Sequence, residues 1–176
     1  MKKALILAGK FVQDHEFIYP YYRLQEEGFK VTVASEDGQE TVGAVGIKIP
    51  VNEKIENINQ EDYDLLVIPG GAKAMEYMRQ NKKIIDLISG WNKKGKIIAA
   101  ICHGSQLLIS AKVVKNRKLS GYYSIKDDIS NAGADYVDAP FVTDKNIITS
   151  PHYKHLGPWM KEVFGVYKRK YGDFNN

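Results

Sequence analysis

Cysteine is almost missing from this chain: Cys102 is the one cysteine in 176 residues. A lone cysteine rules out an internal disulfide and the multi-cysteine metal sites. Long apolar runs are missing too. None approaches the roughly 20 residues that a membrane-spanning helix needs, so no membrane partner is expected. The opening, Met1-Lys2-Lys3 and then Ala4 to Ala8, begins like a secretion signal, but its apolar part is short and Lys10 follows at once. It reads instead as the first strand of a cytoplasmic protein. Nor is there an excess of one charge. The 25 Lys and Arg against 21 Asp and Glu leave a net +4, spread along the chain. That is too mild and dispersed for a nucleic-acid surface. Internal repeats, low-complexity tracts and linkers are absent as well. What is left is 44% hydrophobic and 26% charged residues. This describes one globular domain over 1–176, with enough chain for a core.

The apolar residues that are present follow two periods. Residues 4–8, 29–34, 64–68 and Ile97–Ile101 read as strands. The stretch 35–52 reads as a small hairpin or edge strand and 118–120 as a short strand. Residues 141–143 and 146–149 pair around Asp144-Lys145. Between them lie helical patterns. One opens at Asp14-His15-Glu16, carries Phe17, Tyr21 and Leu24 on one face and stops at Gly28. Pro20, inside it, is expected to distort the first turns and remove one backbone bond. A second carries Ile84, Ile85, Leu87, Ile88 and Trp91 and closes at Gly95. A third carries Leu107, Leu108, Ala111 and Val114. Ser124-Ile125-Lys126-Asp127 resembles a capping box for a helix ending near Gly133. The last carries Leu156, Trp159, Met160, Val163, Phe164 and Tyr167, with Pro158 in its first turn. Residues 172–176 are expected to fray.

Strands alternating with helices predict an α/β fold with a mainly parallel sheet. Sites in such folds lie at the carboxyl ends of the strands. Gly9-Lys10, Gly70-Gly71 and Cys102-His103 follow three such ends and are expected to line one crevice, with Glu16 entering it. Cys102 stands where a buried strand turns into a helix, the position of a nucleophile elbow. Backbone N–H groups there favour the thiolate, the reactive form. A single cysteine is ordinarily a small buried hydrophobe. Neighbours on a regular helix do not face each other, so only an irregular backbone at Cys102 brings His103 to the sulfur.

The run Ala100-Ile101-Cys102-His103-Gly104, followed by Gln106-Leu107-Leu108-Ile109-Ser110-Ala111, resembles the signature of the PfpI family of intracellular proteases/amidases, in the ThiJ/PfpI superfamily. Ile18-Tyr19-Pro20-Tyr21, Pro69-Gly70-Gly71, Ile125-Lys126-Asp127-Asp128 and Asn131-Ala132-Gly133-Ala134 extend the likeness over nearly the whole chain. The resemblance implies a flavodoxin-like three-layer sandwich, akin to class I glutamine amidotransferase domains, with a strained cysteine on the elbow. It further implies Cys102 as nucleophile, His103 as its acid/base and Glu16 as the carboxyl that meets the sulfur. The backbone N–H groups of Gly71 and His103 are the implied oxyanion hole. Gly70, Tyr122 and His152 are the implied substrate contacts. Glu76 is implied to reach the histidine of a neighbouring subunit, with one extra residue between Gly71 and Glu76. Two departures stand out: Ser105 replaces the proline common after Cys-His-Gly, and Pro151-His152-Tyr153-Lys154-His155 replaces an Arg-His-Pro segment. His152 and His155 lack a third ligand for a metal.

Three functions are open to such a chain. The first is a cysteine hydrolase, peptidase or amidase, acting through a thioester. The second is a cofactor-independent glyoxalase or deglycase that attacks methylglyoxal-type aldehydes and releases hydroxy acids, with Glu16 as proton shuttle. The third is a stress protein whose Cys102 senses oxidants without turnover. None needs a metal or organic cofactor. The expected partners are a small carbonyl or peptide substrate and further copies of the chain. The 11 Tyr, 6 Phe and 2 Trp are many aromatics for a small core, and the resemblance implies a homodimer or a hexamer. The interface is expected around Phe17, Ile18, Tyr19 and Tyr22, which cannot all face one core.

Overall fold

The apolar runs of the sequence become the strands of one central sheet in the computed structural model, which describes residues 2–173. In chain order the strands are β1 (Lys3–Leu7), β2 (Lys30–Ser35), β3 (Thr41–Val42), β4 (Lys48–Ile49), β5 (Glu53–Lys54), β6 (Leu65–Ile68), β7 (Ile97–Ile101), β8 (Lys118–Leu119), β9 (Asp135–Tyr136), β10 (Val142–Asp144) and β11 (Ile147–Ser150). The helices are α1 (Asp14–Glu26), α2 (Ala72–Met78), α3 (Lys82–Lys93), α4 (Ser105–Ser110), α5 (Lys126–Asn131) and α6 (Leu156–Tyr171).

Seven strands form the central sheet in the order β10-β11-β7-β6-β1-β2-β5. All pairs are parallel except β10–β11, which closes antiparallel with Asp144 opposite Ile147. Every residue of β6 and β7 is buried, as strands covered on both faces must be. Helices α1 and α6 pack on one face, and α2, α3 and α4 lie together on the other. The result is a flavodoxin-like three-layer α/β sandwich. The register sets Ile6 beside Val67 and Val67 beside Ala99. Three carboxyl ends therefore emerge together, and the loops that leave them start from one edge of the sheet.

Several expectations need correction. Helix α2 carries no apolar period long enough to reveal it in seven residues. Helix α4 stops at Ser110, with Lys112 in left-handed backbone at φ 57°, so Val114 lies beyond it. Helix α1 runs unbroken through Pro20, which is buried inside it. Only the hydrogen bond to the Glu16 carbonyl is lost, because proline has no N–H. The capping box does not form. Ser124 belongs to a 3-10 turn, Tyr123–Ile125, and no side chain caps α5. The stretch 35–52 does form a hairpin, β3 with β4, and β5 follows at the sheet edge. Of the expected frayed tail, residues 174–176 lie outside the described residues. Among the described residues no helix is long and apolar enough to cross a membrane.

Candidate active site

Strand β7 ends at Ile101, and the next residue turns abruptly. Cys102 adopts φ 60°, a left-handed conformation that L-residues other than glycine and asparagine seldom take. A 3-10 turn, Cys102–Gly104, then leads into α4. This is the irregular backbone that adjacency needed: His103 Nδ1 lies 3.3 Å from Cys102 Sγ. Helix α4 is only six residues long, so its dipole contributes little. The polarity at the sulfur comes instead from the backbone N–H groups of His103 and Gly71, both of which hydrogen-bond toward it and favour the thiolate. Gly71 is held at φ 104°, and a Cβ there would meet the Phe11 carbonyl oxygen at 2.5 Å. Only glycine fits that donor position.

Glu16 reaches the sulfur from α1. Its carboxyl is fully buried, and Oε2 accepts a 2.8 Å hydrogen bond from the Gly70 N–H. Oε1 has no partner of hydrogen-bond geometry, and the Cys102 side chain beside it interacts with the carboxyl. Burial pushes the Glu16 pKa up from 4.5 to about 7, against the pull of the Gly70 N–H. Burial, and then the charge of Glu16, push the Cys102 thiol up as well. Two such groups titrate as one pair. The pair therefore carries two protons in acid and loses one near pH 7. Of the two forms with a single proton, the Gly71 and His103 N–H groups favour the charge on sulfur, whereas the Gly70 N–H and the burial of the thiol favour the charge on Glu16.

The sulfur opens into a cavity of about 580 Å³. Its walls include Glu16, Gly71, His103, Tyr122 and His152, so the cavity brings five expected residues to Cys102. The rings stack along one wall. His103 lies 4.7 Å from Tyr122, Tyr122 lies 5.8 Å from His152, and His152 lies 4.0 Å from Tyr153. Burial lowers the pKa of His103 and of His152, so both imidazoles are neutral at pH 7. The Tyr122 N–H donates to the Cys102 carbonyl oxygen at 3.2 Å and ties this wall to the elbow.

Two expectations are redirected. Gly70 does not face the cavity. It is buried behind the elbow, where an added Cβ would meet Glu16 Oε2 at 2.5 Å and the Cys102 Cβ at 2.7 Å; it positions the carboxyl rather than a substrate. Gly9-Lys10 lines a separate cavity, beside Ser35, Asp37 and Met78. Glu76 is exposed on α2 and paired with Lys73 at 2.8 Å. It lines a shallow recess behind His103, away from the sulfur. His155 is likewise outside the cavity.

The structure also gives places to residues to which the sequence pattern assigned no role. Phe11, Gln13, Ala44, Lys73 and Tyr153 line the cavity. Asp14 is buried and accepts from the Val45 and Ile47 N–H groups at 2.8 and 2.9 Å, drawing the β3–β4 loop over the site. The one signal for it was an acid at the start of a helix. Ser105, where proline is common, is buried and donates to the Ser120 carbonyl oxygen at 3.0 Å, which holds α4 to the segment after β8. Among the described residues no group of three or more His, Cys, Asp and Glu is arranged to hold a metal ion.

Comparison with known proteins is consistent along the chain. The model of the DJ-1/PfpI family matches residues 2–165. Deglycase PfpI of Pyrococcus furiosus is 40% identical over 94% of this chain and 99% of its own length. A deglycase of Pyrococcus abyssi is 42% identical over 94% of this chain and 99% of its own. Among solved structures, a two-domain protein of Anabaena variabilis with DJ-1/ThiJ/PfpI-like and ferritin-like domains superposes with a TM-score of 0.90 at 32% identity. That match covers all of this chain and 51% of the other.

Proposed function

This chain belongs to the DJ-1/PfpI family, and from that premise we propose that it is a cysteine enzyme of deglycase or glyoxalase type, acting on small 2-oxoaldehydes without a cofactor. The observation that carries this reading is the Glu16 carboxyl, buried against Cys102 and still protonated up to about pH 7. The names of two relatives, both deglycases, support it.

The chemistry rests on the geometry. The Cys102 thiolate attacks the aldehyde carbon; the C–S bond forms and the carbonyl electron pair moves to oxygen. The N–H groups of Gly71 and His103 face that oxyanion, and Glu16 hands it a proton, giving a hemithioacetal. The Glu16 carboxylate then removes the hydrogen on the same carbon, and the electrons flow into the neighbouring ketone, giving an enediolate. Glu16 returns that proton to the adjacent carbon while the hydroxyl proton of the sulfur-bearing carbon passes to the neighbouring oxygen, which leaves a 2-hydroxyacyl thioester on Cys102. Water hydrolyses it, releasing the hydroxy acid and the thiol. One carboxyl that both gives and takes a proton at pH 7 serves every step.

A second reading, peptidase or amidase, is favoured by a different observation: His103 Nδ1 at 3.3 Å from the sulfur, placed to protonate a leaving amine. The deciding experiment measures methylglyoxal consumption and lactate formation without added glutathione, beside hydrolysis of peptide and amide substrates. Lactate formation that Cys102→Ala abolishes is the expected result. Amide hydrolysis without aldehyde turnover would replace the first reading by the second. Neither activity, with Cys102 readily oxidised, would leave the oxidant sensor.

A further inference from the structure

The residue that should have capped α5 has another partner. Ser124 Oγ lies 3.3 Å from His103 Nε2, on the far side of the ring from the sulfur. His103 is thus held at both nitrogens, by Cys102 at Nδ1 and Ser124 at Nε2, while the Tyr122 ring stacks on its face at 4.7 Å. We propose that Ser124 is the positioning residue of His103, aiming Nδ1 at the Cys102 sulfur and serving whichever tautomer the sulfur requires.

A hydroxyl suits this place better than an acid. A neutral imidazole has one N–H, and its other nitrogen is an acceptor. Beside a thiol, Nδ1 accepts from S–H and Nε2 donates to Ser124 Oγ. Beside a thiolate, Nδ1 donates to sulfur and Nε2 accepts from the Ser124 O–H. A serine hydroxyl completes both states because it donates and accepts. A carboxylate at Nε2 would accept only, and would hold the ring in the first state. The same atoms can pass one proton outward. The thiol proton goes to Nδ1, the Nε2 proton goes to Ser124 Oγ, and the Ser124 proton goes to water, since Ser124 is exposed. The ring ends neutral, as it began.

The groups that face this arrangement come from every side. Glu16, Tyr122 and His152 share the cavity with His103. Glu76, Arg79 and Asp128 share the recess behind it. Of the recess acids, Glu76 pairs with Lys73, and the atom bonded to Nε2 is the Ser124 oxygen.

The inference rests on Cys102 being the nucleophile, and its test uses Cys102 rather than turnover. Cys102 is the sole cysteine, so alkylation by iodoacetamide, monitored by mass across pH 5–9, reads one site (about the range in which the pair titrates). Nitrogen-15 NMR of His103 reads the tautomer. Ser124→Ala is expected to slow alkylation at pH 7 by about threefold to tenfold, the effect of losing one hydrogen bond to a neutral group. It should also move the His103 nitrogen shifts toward a tautomer average. Ser124→Thr should restore both, and Glu76→Gln should leave the His103 shifts in place. A Ser124→Ala protein with the wild-type alkylation profile and wild-type shifts overturns the proposal. So does a Glu76→Gln protein that alone reproduces the change. Absence of methylglyoxal turnover in the wild type, with the Ser124→Ala effect intact, would remove the aldehyde reading and leave this one standing.

Discussion

Glu16 shows what a single residue can cost and contribute. Its carboxyl is ionised above about pH 4.5 in the unfolded chain but holds its proton to about pH 7 when folded. Between those values the native state binds more protons than the unfolded state, so stability falls as pH rises. The contribution is fully present below pH 4.5 and gone above 7, a difference on the order of 3 kcal/mol at about 1.36 kcal/mol per unit. Denaturant melts of wild type and Glu16→Gln should therefore converge in acid. The variant should be the more stable above pH 7. Parallel curves at all pH values would show that Glu16 is not perturbed. The same titration sets reactivity. Cys102 alkylation in the wild type should rise with an inflection near pH 7, and that inflection should vanish in Glu16→Gln. Cys102→Ala should keep the fold and lower turnover by at least about a thousandfold.

At the scale of elements, α1 does two jobs two residues apart. Glu16 meets the sulfur, and Asp14 meets the Val45 and Ile47 N–H groups that tie down the β3–β4 loop. That loop supplies Ala44 to the cavity wall. Asp14→Ala leaves two part-buried donors unpaired and should cost about 2–4 kcal/mol. It should raise KM more than it lowers kcat, because the wall loosens while the reacting groups remain; an unchanged KM would argue that the loop does not touch the substrate. The turn from β6 into α2 is equally constrained. Gly71→Ala must place a Cβ against the Phe11 carbonyl oxygen at a positive φ. It should destabilise by about 2–4 kcal/mol and lower kcat as the N–H aimed at the oxyanion shifts. A thermal melt and initial rates check both.

For the whole molecule, the outer face of α1 presents exposed aromatic rings. Phe17 faces the core, whereas Tyr19 is 37% and Tyr22 60% exposed. A two-fold dimer needs one self-complementary patch, and we propose that these exposed rings supply it, so that the chain works as a homodimer or a higher oligomer built on α1. Light scattering at micromolar concentration should give a mass at least twice the 19.9 kDa of the chain, and Tyr22→Glu should lower it. A wild-type mass of one chain would end this proposal.

Much of this molecule was legible one residue at a time. The strands at 64–68 and Ile97–Ile101 are continuous apolar runs, because a strand buried on both faces can be nothing else. The long helices α1, α3 and α6 announce themselves by period. Cys102 was placed by its position between a strand and a helix. Short elements were legible only in part: β8, the β3–β4 hairpin and the β10–β11 pair follow their local pattern, whereas helix α2 and strand β9 are too brief for a period, and Ser124-Ile125-Lys126-Asp127 carries a capping signal that the chain does not use. Local sequence thus determined which of the longer segments are strands and helices, and that the one cysteine stands on the elbow. Only tertiary structure decided that Gly70 supports Glu16, that Gly9-Lys10 opens elsewhere, that Asp14 holds a distant loop and that Ser124 turns to His103. Periodicity is a property of neighbours in the chain, whereas burial, pKa and hydrogen bonds between distant residues arise when the sheet brings separate segments to one edge.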